Sequence, residues 1–332
     1  MSDPQVAIVT PTKNRRALLE ETMGSVQAQS FADWEHIIVD DGSDDGTAEM
    51  VEARAKDDSR IRFIRRAGDK AGASVCRNIG VRSSRANYIL FLDSDDLLTP
   101  DCLARRVPVL DRNADADFII FQPSYFAKVL HDHDHYRNDD FLGDDLTRFL
   151  YFEIPWIITS PLWRKAVLLR IGLFDESLPS WQDVELHVRA ITSGLRYLRF
   201  REVDHHIRWD NRVDRISANQ RKSPNHLKAA VPILETFESL VRQGPGMTWI
   251  RQRALCSLYF FVAERWVDIG RGWEAQQMWR RARARGLAPP MLHMSGAALL
   301  AARTAGVPVR RLTTKWIGWG RLRTNAELVL SR

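Results

Sequence analysis

Between residues 6 and 121, short apolar runs alternate with segments whose apolar residues recur at helical spacing. The runs cover 6–10, 34–39, 61–64, 88–92 and 118–121, and their brevity and β-branched content predict buried strands. Helices are predicted over 15–29, 47–56, 73–83 and 101–110. Strand alternating with helix implies an α/β fold, a mostly parallel sheet with helices on both faces. In such a sheet ligands bind beyond the carboxyl ends of the strands. Three predicted strands end in polar clusters, TPTKN (10–14), DDGSDD (40–45) and DSDD (93–96). Topology therefore brings these clusters to one edge.

The third cluster carries the most chemistry. In YILFLDSDDLL (88–98), Asp93, Asp95 and Asp96 stand between apolar runs. Buried carboxylates are costly unless paired or bound to a cation. Asp93 and Asp95, two apart on an extended strand end, are expected to point the same way. Such a pair suits Mg²⁺ or Mn²⁺ completed by substrate phosphates. Asp96 and Thr99 read instead as capping residues for the helix after Pro100. Asp40 and Asp41 could meet a nucleobase or ribose, or could make an Asx-type turn with the following Gly and Ser.

The four segments TPTKNR (10–15), IIVDDGSDDGT (37–47), ASVCRNIGVRSSRANYILFLDSDD (73–96) and IGLFDESLPSWQDVELHVR (171–189) occur in that order. Together, over about residues 1–215, they resemble family 2 of the nucleotide-sugar glycosyltransferases, with its GT-A fold. The resemblance implies nucleotide contacts at Pro11, Thr12 and Asn14, and at Asp41 with Asp40 beside it. It places Arg77 near the diphosphate. Asp93, with Ser94, matches the ribose side of the DxD motif, and Asp95 its metal ligand. Asp183 takes the place of the general base of an inverting displacement, and a helix N-terminus favours its ionised form. Gln182 departs from the acidic residue common there and bears on acceptor contacts. His205 or, foremost, His206 could complete the metal shell, and Arg212 or Arg215 could meet phosphate. An ordinary salt-bridged loop is the alternative for 205–217. Trp156 and Trp181 flank the expected acceptor side, where a sugar-stacking and a core role are both open.

The implied cofactors are Mn²⁺ or Mg²⁺, and the implied donor is a nucleoside-diphosphate sugar, with UDP the expected nucleotide. The acceptor would be a glycan or lipid-linked sugar, in polysaccharide or other glycoconjugate biosynthesis. A non-catalytic nucleotide- or glycan-binding module of the same fold is the alternative. A nucleotidyltransferase reading lacks a Gly/Arg-rich phosphate loop near the N-terminus.

Charge is unevenly spread along the 332 residues. Residues 1–200 hold 25 Lys and Arg against 32 Asp and Glu, whereas 201–332 hold 23 against 10. The expected division is a catalytic domain over 1–220 and a basic, Trp-rich helical domain over 221–332. In WEAQQMWRRARARG (273–286), Ala275, Trp279 and Ala282 share one stripe and arginines lie elsewhere. A helical bundle with solvated arginines, contact with anionic lipid, and nucleic-acid binding are the three readings. No nucleic-acid motif supports the last. His131, His133 and His135 lie in a polar tract read as a solvated loop. The three cysteines form no CxxC pair, which suits a reducing compartment. No secretory signal or bilayer-length apolar run is visible. The expected location is cytoplasmic, at the inner face of the membrane if the basic helices touch lipid.

Overall fold

The computed structural model describes residues 3–127, 130, 144–209 and 223–307. They fall into two compact units. The first holds all eight strands. In chain order its elements are β1 (Val6–Thr12), α1 (Arg16–Gln27), β2 (Trp34–Asp40), α2 (Thr47–Asp57), β3 (Ile61–Arg65), α3 (Ala73–Ser83), β4 (Tyr88–Phe91), β5 (Leu97–Leu98), α4 (Cys102–Arg112) and β6 (Phe118–Phe126). Beyond the first helix of the other unit, α5 (Asp145–Leu150), come β7 (Pro161–Arg164) and α6 (Lys165–Ile171). Last is β8 (Tyr197–Arg208), which follows a second helix of the other unit, α7 (Gln182–Thr192).

One mixed sheet runs β3-β2-β1-β4-β7-β6-β8-β5. The strands β1, β2, β3 and β4 are parallel neighbours, β6 pairs in parallel with β8, and only β5 and β7 run against their neighbours. Every residue of β1 and β2 is buried, which is why both strands read as continuous apolar runs rather than alternating ones. Val6 and Ile8 pack with Val26 of α1 and with Leu103, Val107 and Leu110 of α4. Val9 points the other way, against α3. Gly80 makes that second contact possible, because a Cβ there would meet Val9 Cγ1 at 2.3 Å. Helices thus cover both faces, as the alternating pattern predicts.

The strands beyond β4 depend on distant partners. Phe118 stacks on Trp163 at 4.0 Å and on Tyr197 at 5.0 Å between ring centroids, joining β6, β7 and β8. Trp156, read above as an acceptor-side candidate, belongs to this aromatic core and is 1% exposed. It is a packing residue of the first unit.

The second unit comprises α5, α7 and four further helices, α8 (Pro224–Gln243), α9 (Trp249–Asp268), α10 (Gly272–Ala284) and α11 (Pro290–Thr304). Its main division from the sheet falls after residue 211, close to the expected 220, but the segments 140–155 and 179–194 also go with the helices. Ala275, Met278, Trp279 and Ala282 form the buried stripe of α10. Trp279 donates its indole N–H to the His293 carbonyl at 2.8 Å. Gly296 lets α11 lie against that ring, since a Cβ there would fall 2.6 Å from the indole. Arg281 and Arg285 turn outward and pair with Glu235 and Glu238 of α8. This is the bundle packing anticipated for the segment. Trp266 is buried as well, whereas Trp249 and Trp273 are exposed. Trp316 and Trp319 lie outside the described residues. Among the described residues, no helix is long and apolar enough to cross a membrane.

Candidate active site

Because β1, β2 and β4 are parallel neighbours, their carboxyl ends share one edge of the sheet. Pro11 and Thr12 close β1 opposite Val39 and Asp40 of β2. Past the strands, the Asp41 amide donates to the Thr12 carbonyl at 2.8 Å. Asn14, at φ +52°, clips the two loops together. Its amide donates to Ser43 Oγ and its side-chain carbonyl accepts from the Asp44 amide, each at 2.9 Å.

The two aspartates after β2 have different surroundings. Asp40 is fully buried, and its carboxylate accepts from the Ser43 amide at 3.1 Å and from Ser43 Oγ. This is the local turn that the Asp–Gly–Ser sequence allows, and it holds the loop that carries Asp41. Asp41 accepts from Arg66 Nε and, at 3.1 Å, from the Gly72 amide. It therefore ties the end of β2 to the N-terminus of α3.

Arg77 projects from α3 toward the loop after β4. Its Nη2 donates to Asp93 Oδ1 at 2.6 Å, and the guanidinium lies 5.3 Å from the Phe174 ring. Arg77 is buried, and its Nε has no hydrogen-bond partner among the described residues. The Thr12 and Ser74 hydroxyls are likewise buried without a partner there. Orphaned buried donors are costly and call for an explanation; a bound ligand is one that fits their position around the strand ends.

Asp93 and Asp95 do not stand on an extended strand. The strand ends at Phe91, and the Asp96 amide donates to the Asp93 carbonyl at 3.1 Å, making 93–96 a turn. The alternation argument for the pair therefore fails, because a turn does not preserve the two-residue period of a strand. The turn instead hands each carboxylate its own cation. Asp93 takes Arg77, while Asp95 lies 3.7 Å from Arg15 Nη1. Asp96 caps no helix; it is buried, and its Oδ1 accepts from the Arg208 amide at 3.0 Å. Arg208 also donates through Nε to the Asp95 carbonyl at 3.1 Å. The N-cap of α4 is instead Asp101, whose carboxylate accepts from the Thr99 hydroxyl at 2.7 Å. Ser94, in the same turn, is buried.

The acidic cluster is thus held by Arg15, Arg77 and Arg208. Of these, sequence reasoning singled out only Arg77. Arg15 stands in the quoted TPTKNR segment and could have been proposed from it. Arg208 comes from a strand more than a hundred residues away.

Among the described residues, no group of three His, Cys, Asp or Glu side chains is set to hold a metal ion. His206 does not complete a cage with Asp93 and Asp95. It sits in β8 opposite Leu97, and its Nδ1 is 2.6 Å from Ser124 Oγ. The donor set that remains is a pair of carboxylates in a turn, which fits a Mg²⁺ or Mn²⁺ ion that draws its other oxygens from phosphate and water. His205 is not a ligand either. It is fully buried with Asp204 and Arg106, and Arg106 donates twice to Asp204 at 2.7 Å. Burial pushes the His205 pKa down to about 4. Burial opposes ionisation of Asp204, but the Arg106 cation outweighs it and holds that pKa at about 2. The HHIR segment is therefore core strand rather than basic loop. Arg212, Arg215, His131, His133 and His135 fall outside the described residues.

Asp183 lies in the second unit, in the first turn of α7. The N-cap of that helix is Trp181, at φ +59°, rather than Ser180 or Gln182. A bulky residue in the left-handed region is strained, and such strain persists where the surroundings impose it. The Trp181 ring lies 4.6 Å from Phe152, another non-glycine residue with positive φ. Gln182 opens the helix and Gly194, at φ +76°, follows its C-terminal end.

The sequence model of glycosyl transferase family 2 matches residues 7–171. That span takes in Pro11, Thr12, Asn14, Asp40, Asp41, Arg77 and Asp93–Asp95, and stops short of Asp183. The chain is 37% identical over 101 residues to the GalNAc(5)-diNAcBac-PP-undecaprenol beta-1,3-glucosyltransferase of Campylobacter jejuni, a match covering 30% of this chain and 33% of that protein. The first relatives it matches are covered over between 20% and 58% of their own lengths. In fold it is similar to S. aureus TarS 1–349 in complex with UDP-GlcNAc, with a TM-score of 0.62 at 15% identity, over 92% of this chain and 93% of that one. It is also similar to the mannosyltransferase PcManGT from Pyrobaculum calidifontis in complex with GDP-Man and Mn²⁺, with a TM-score of 0.54 at 18% identity, over 96% and 84% of the two chains. The fold is GT-A, a mixed sheet with flanking helices and a helical C-terminal part.

Proposed function

We propose, for a chain whose residues 7–171 belong to glycosyl transferase family 2, that it moves a sugar from a nucleoside-diphosphate donor to an acceptor hydroxyl with inversion. The observation that carries this reading is the gathering of Asp41, Arg77, Asp93 and Asp95 at one edge of the sheet, with buried donors around them that lack partners among the described residues. UDP is the nucleotide we favour, in line with the UDP-GlcNAc bound to TarS.

In this reading Asp41 receives the base, with Asp40 and Asn14 holding its loop and Pro11 and Thr12 beneath it. Asp93 would exchange Arg77 for ribose. Arg77 would then turn its guanidinium, already short of one acceptor, toward the diphosphate. The carboxylates of Asp93 and Asp95 would hold Mg²⁺ or Mn²⁺, which when bound offsets the charge of the leaving diphosphate. Asp183 would take the proton of the acceptor hydroxyl as that oxygen bonds to the anomeric carbon and the bond from carbon to diphosphate oxygen breaks. The strained Trp181 would fix the direction of the helix start that carries Asp183.

The acceptor we favour is lipid-linked or a growing glycan, as the name of the C. jejuni relative indicates for that protein. The helical unit would then work against a membrane, at its inner face. The test is transfer or donor hydrolysis with UDP-sugars and Mn²⁺, comparing the wild type with Asp183→Asn. The variant should keep UDP binding and lose turnover by about a hundredfold or more. Equal turnover would remove Asp183 from the mechanism. UDP binding with no turnover from any donor by the wild type would favour a binding module.

A further inference from the structure

The second unit leaves large apolar side chains in water at one end. Trp249 is 70% exposed and Ile250 43% exposed, at the start of α9. Met291 and Met294 are 74% and 72% exposed, in the first turns of α11. Gln252 Nε2 donates to the Gly286 carbonyl at 2.8 Å, so the start of α9 lies beside the short link between α10 and α11. Met291 is five residues beyond Gly286 along the chain, so it lies within about 18 Å of it. The start of α9 and the start of α11, and with them these four residues, therefore lie toward the same end of the helical unit. None is needed for its core, which is built from Trp279, Phe260, Leu300 and their neighbours.

Cations stand in the same place. Arg280 and Arg283 are exposed on α10 and make no hydrogen bond or ion pair with the described residues, unlike Arg281 and Arg285. Both lie close to His293, between Met291 and Met294: burial first, and then the charges of Arg283 and Arg280, lower its pKa. Exposed apolar prongs beside unneutralised guanidinium groups are complementary to an anionic lipid surface. The prongs enter the boundary between headgroups and chains, where Trp is at home, and the arginines meet phosphates. A second copy of the chain would bring the same unpaired cations against each other, which opposes association. Nucleic acid would match the charge and leave the methionines and Ile250 without a partner.

We propose that Trp249, Ile250, Met291 and Met294, with Arg280 and Arg283, form a docking surface for an anionic phospholipid membrane. This deepens the reading that the helical unit faces a membrane, and its test does not depend on transferase activity.

The experiment is flotation of the full chain with phosphatidylcholine vesicles, with and without phosphatidylglycerol. Two variant pairs are compared, Met291→Ser/Met294→Ser and Arg280→Gln/Arg283→Gln, with Trp273→Ser as the control. Trp273 is equally exposed but sits at the far end of α10, some turns away. The wild type and Trp273→Ser should float only with phosphatidylglycerol present. Each cation near an anionic leaflet contributes about fivefold, so the arginine pair should cost about 25-fold in vesicle affinity. The methionine pair should weaken binding by at least tenfold. UDP binding in Mn²⁺, measured in parallel, should be unchanged, and this separates loss of docking from loss of the donor site. Failure of the wild type to float would overturn the proposal. So would equal flotation on phosphatidylcholine alone, or unchanged flotation of both folded variant pairs. Self-association or RNA binding lost in the variants, without flotation by the wild type, would assign the surface to those partners instead. If one pair fails to fold, the other decides.

Discussion

Arg77 on α3 reaches the loop after β4 and places its Nη2 2.6 Å from Asp93 Oδ1. The pair is unequal: the arginine side chain is 7% exposed and the aspartate 37%. A half-exposed ion pair contributes little to stability, so a buried arginine held in this way points to a use beyond folding.

Replacing Arg77 by Gln should therefore affect binding more than folding. Charge-assisted hydrogen bonds to phosphate contribute about 1.5–3 kcal/mol, which corresponds to about a ten- to hundredfold loss of affinity. Calorimetric titration of UDP in Mn²⁺ reads this directly. Unchanged affinity would remove Arg77 from the donor site.

Gly80 offers a test of the packing between α3 and β1. In an open helix, Gly→Ala stabilises by about 0.5–1 kcal/mol. Here the added Cβ would meet Val9 Cγ1 at 2.3 Å, and overpacking a core costs about 1–3 kcal/mol. Gly80→Ala should thus lower the urea midpoint. A higher midpoint would mean that α3 does not approach β1 this closely.

The strands up to β4 were legible because burial on both faces writes them as short unbroken apolar runs. The edge where the candidate site is proposed followed from their order. What was not legible depends on distant partners. The two residues of β5 have no period to detect. The twelve residues of β8 include Arg201, Glu202, Asp204, His205, His206 and Arg208, too charged to show an apolar run, and the part from 205 onward was open to a salt-bridged-loop reading. They form a strand because Arg106, on α4, neutralises Asp204 inside the core. The same limit applies to the acidic turn: its length and composition reveal carboxylates, but not the arginines that face them or the turn that separates them.

The Arg106, Asp204 and His205 cluster should make the protein acid-sensitive in two steps. His205 Nδ1 lies 2.8 Å from Asp204 Oδ1, and burial keeps the ring neutral, with its pKa lowered from 6.5 to about 4. A lowered folded pKa contributes stability above the unfolded value, and that stability is lost as pH falls. The His205 contribution, of order 3 kcal/mol, should therefore fade between about pH 6.5 and 4. His36, buried and lowered to about 3, acts in the same direction. Asp204, held at about 2, adds a second loss below about pH 4. Urea midpoints at pH 7, 5.5 and 4.5 should fall in that order. His205→Gln should flatten the first step, and an unchanged slope would exclude His205 as its source.

The central claim is that Asp93 and Asp95 bind the donor diphosphate through a divalent cation. Thermal unfolding with UDP, with and without Mn²⁺, tests it most directly, because a ligand that binds only the folded chain raises the midpoint. The account predicts a UDP-dependent rise that needs Mn²⁺ and disappears in Asp95→Asn. A rise of the same size without the metal, or one retained by Asp95→Asn, would contradict it.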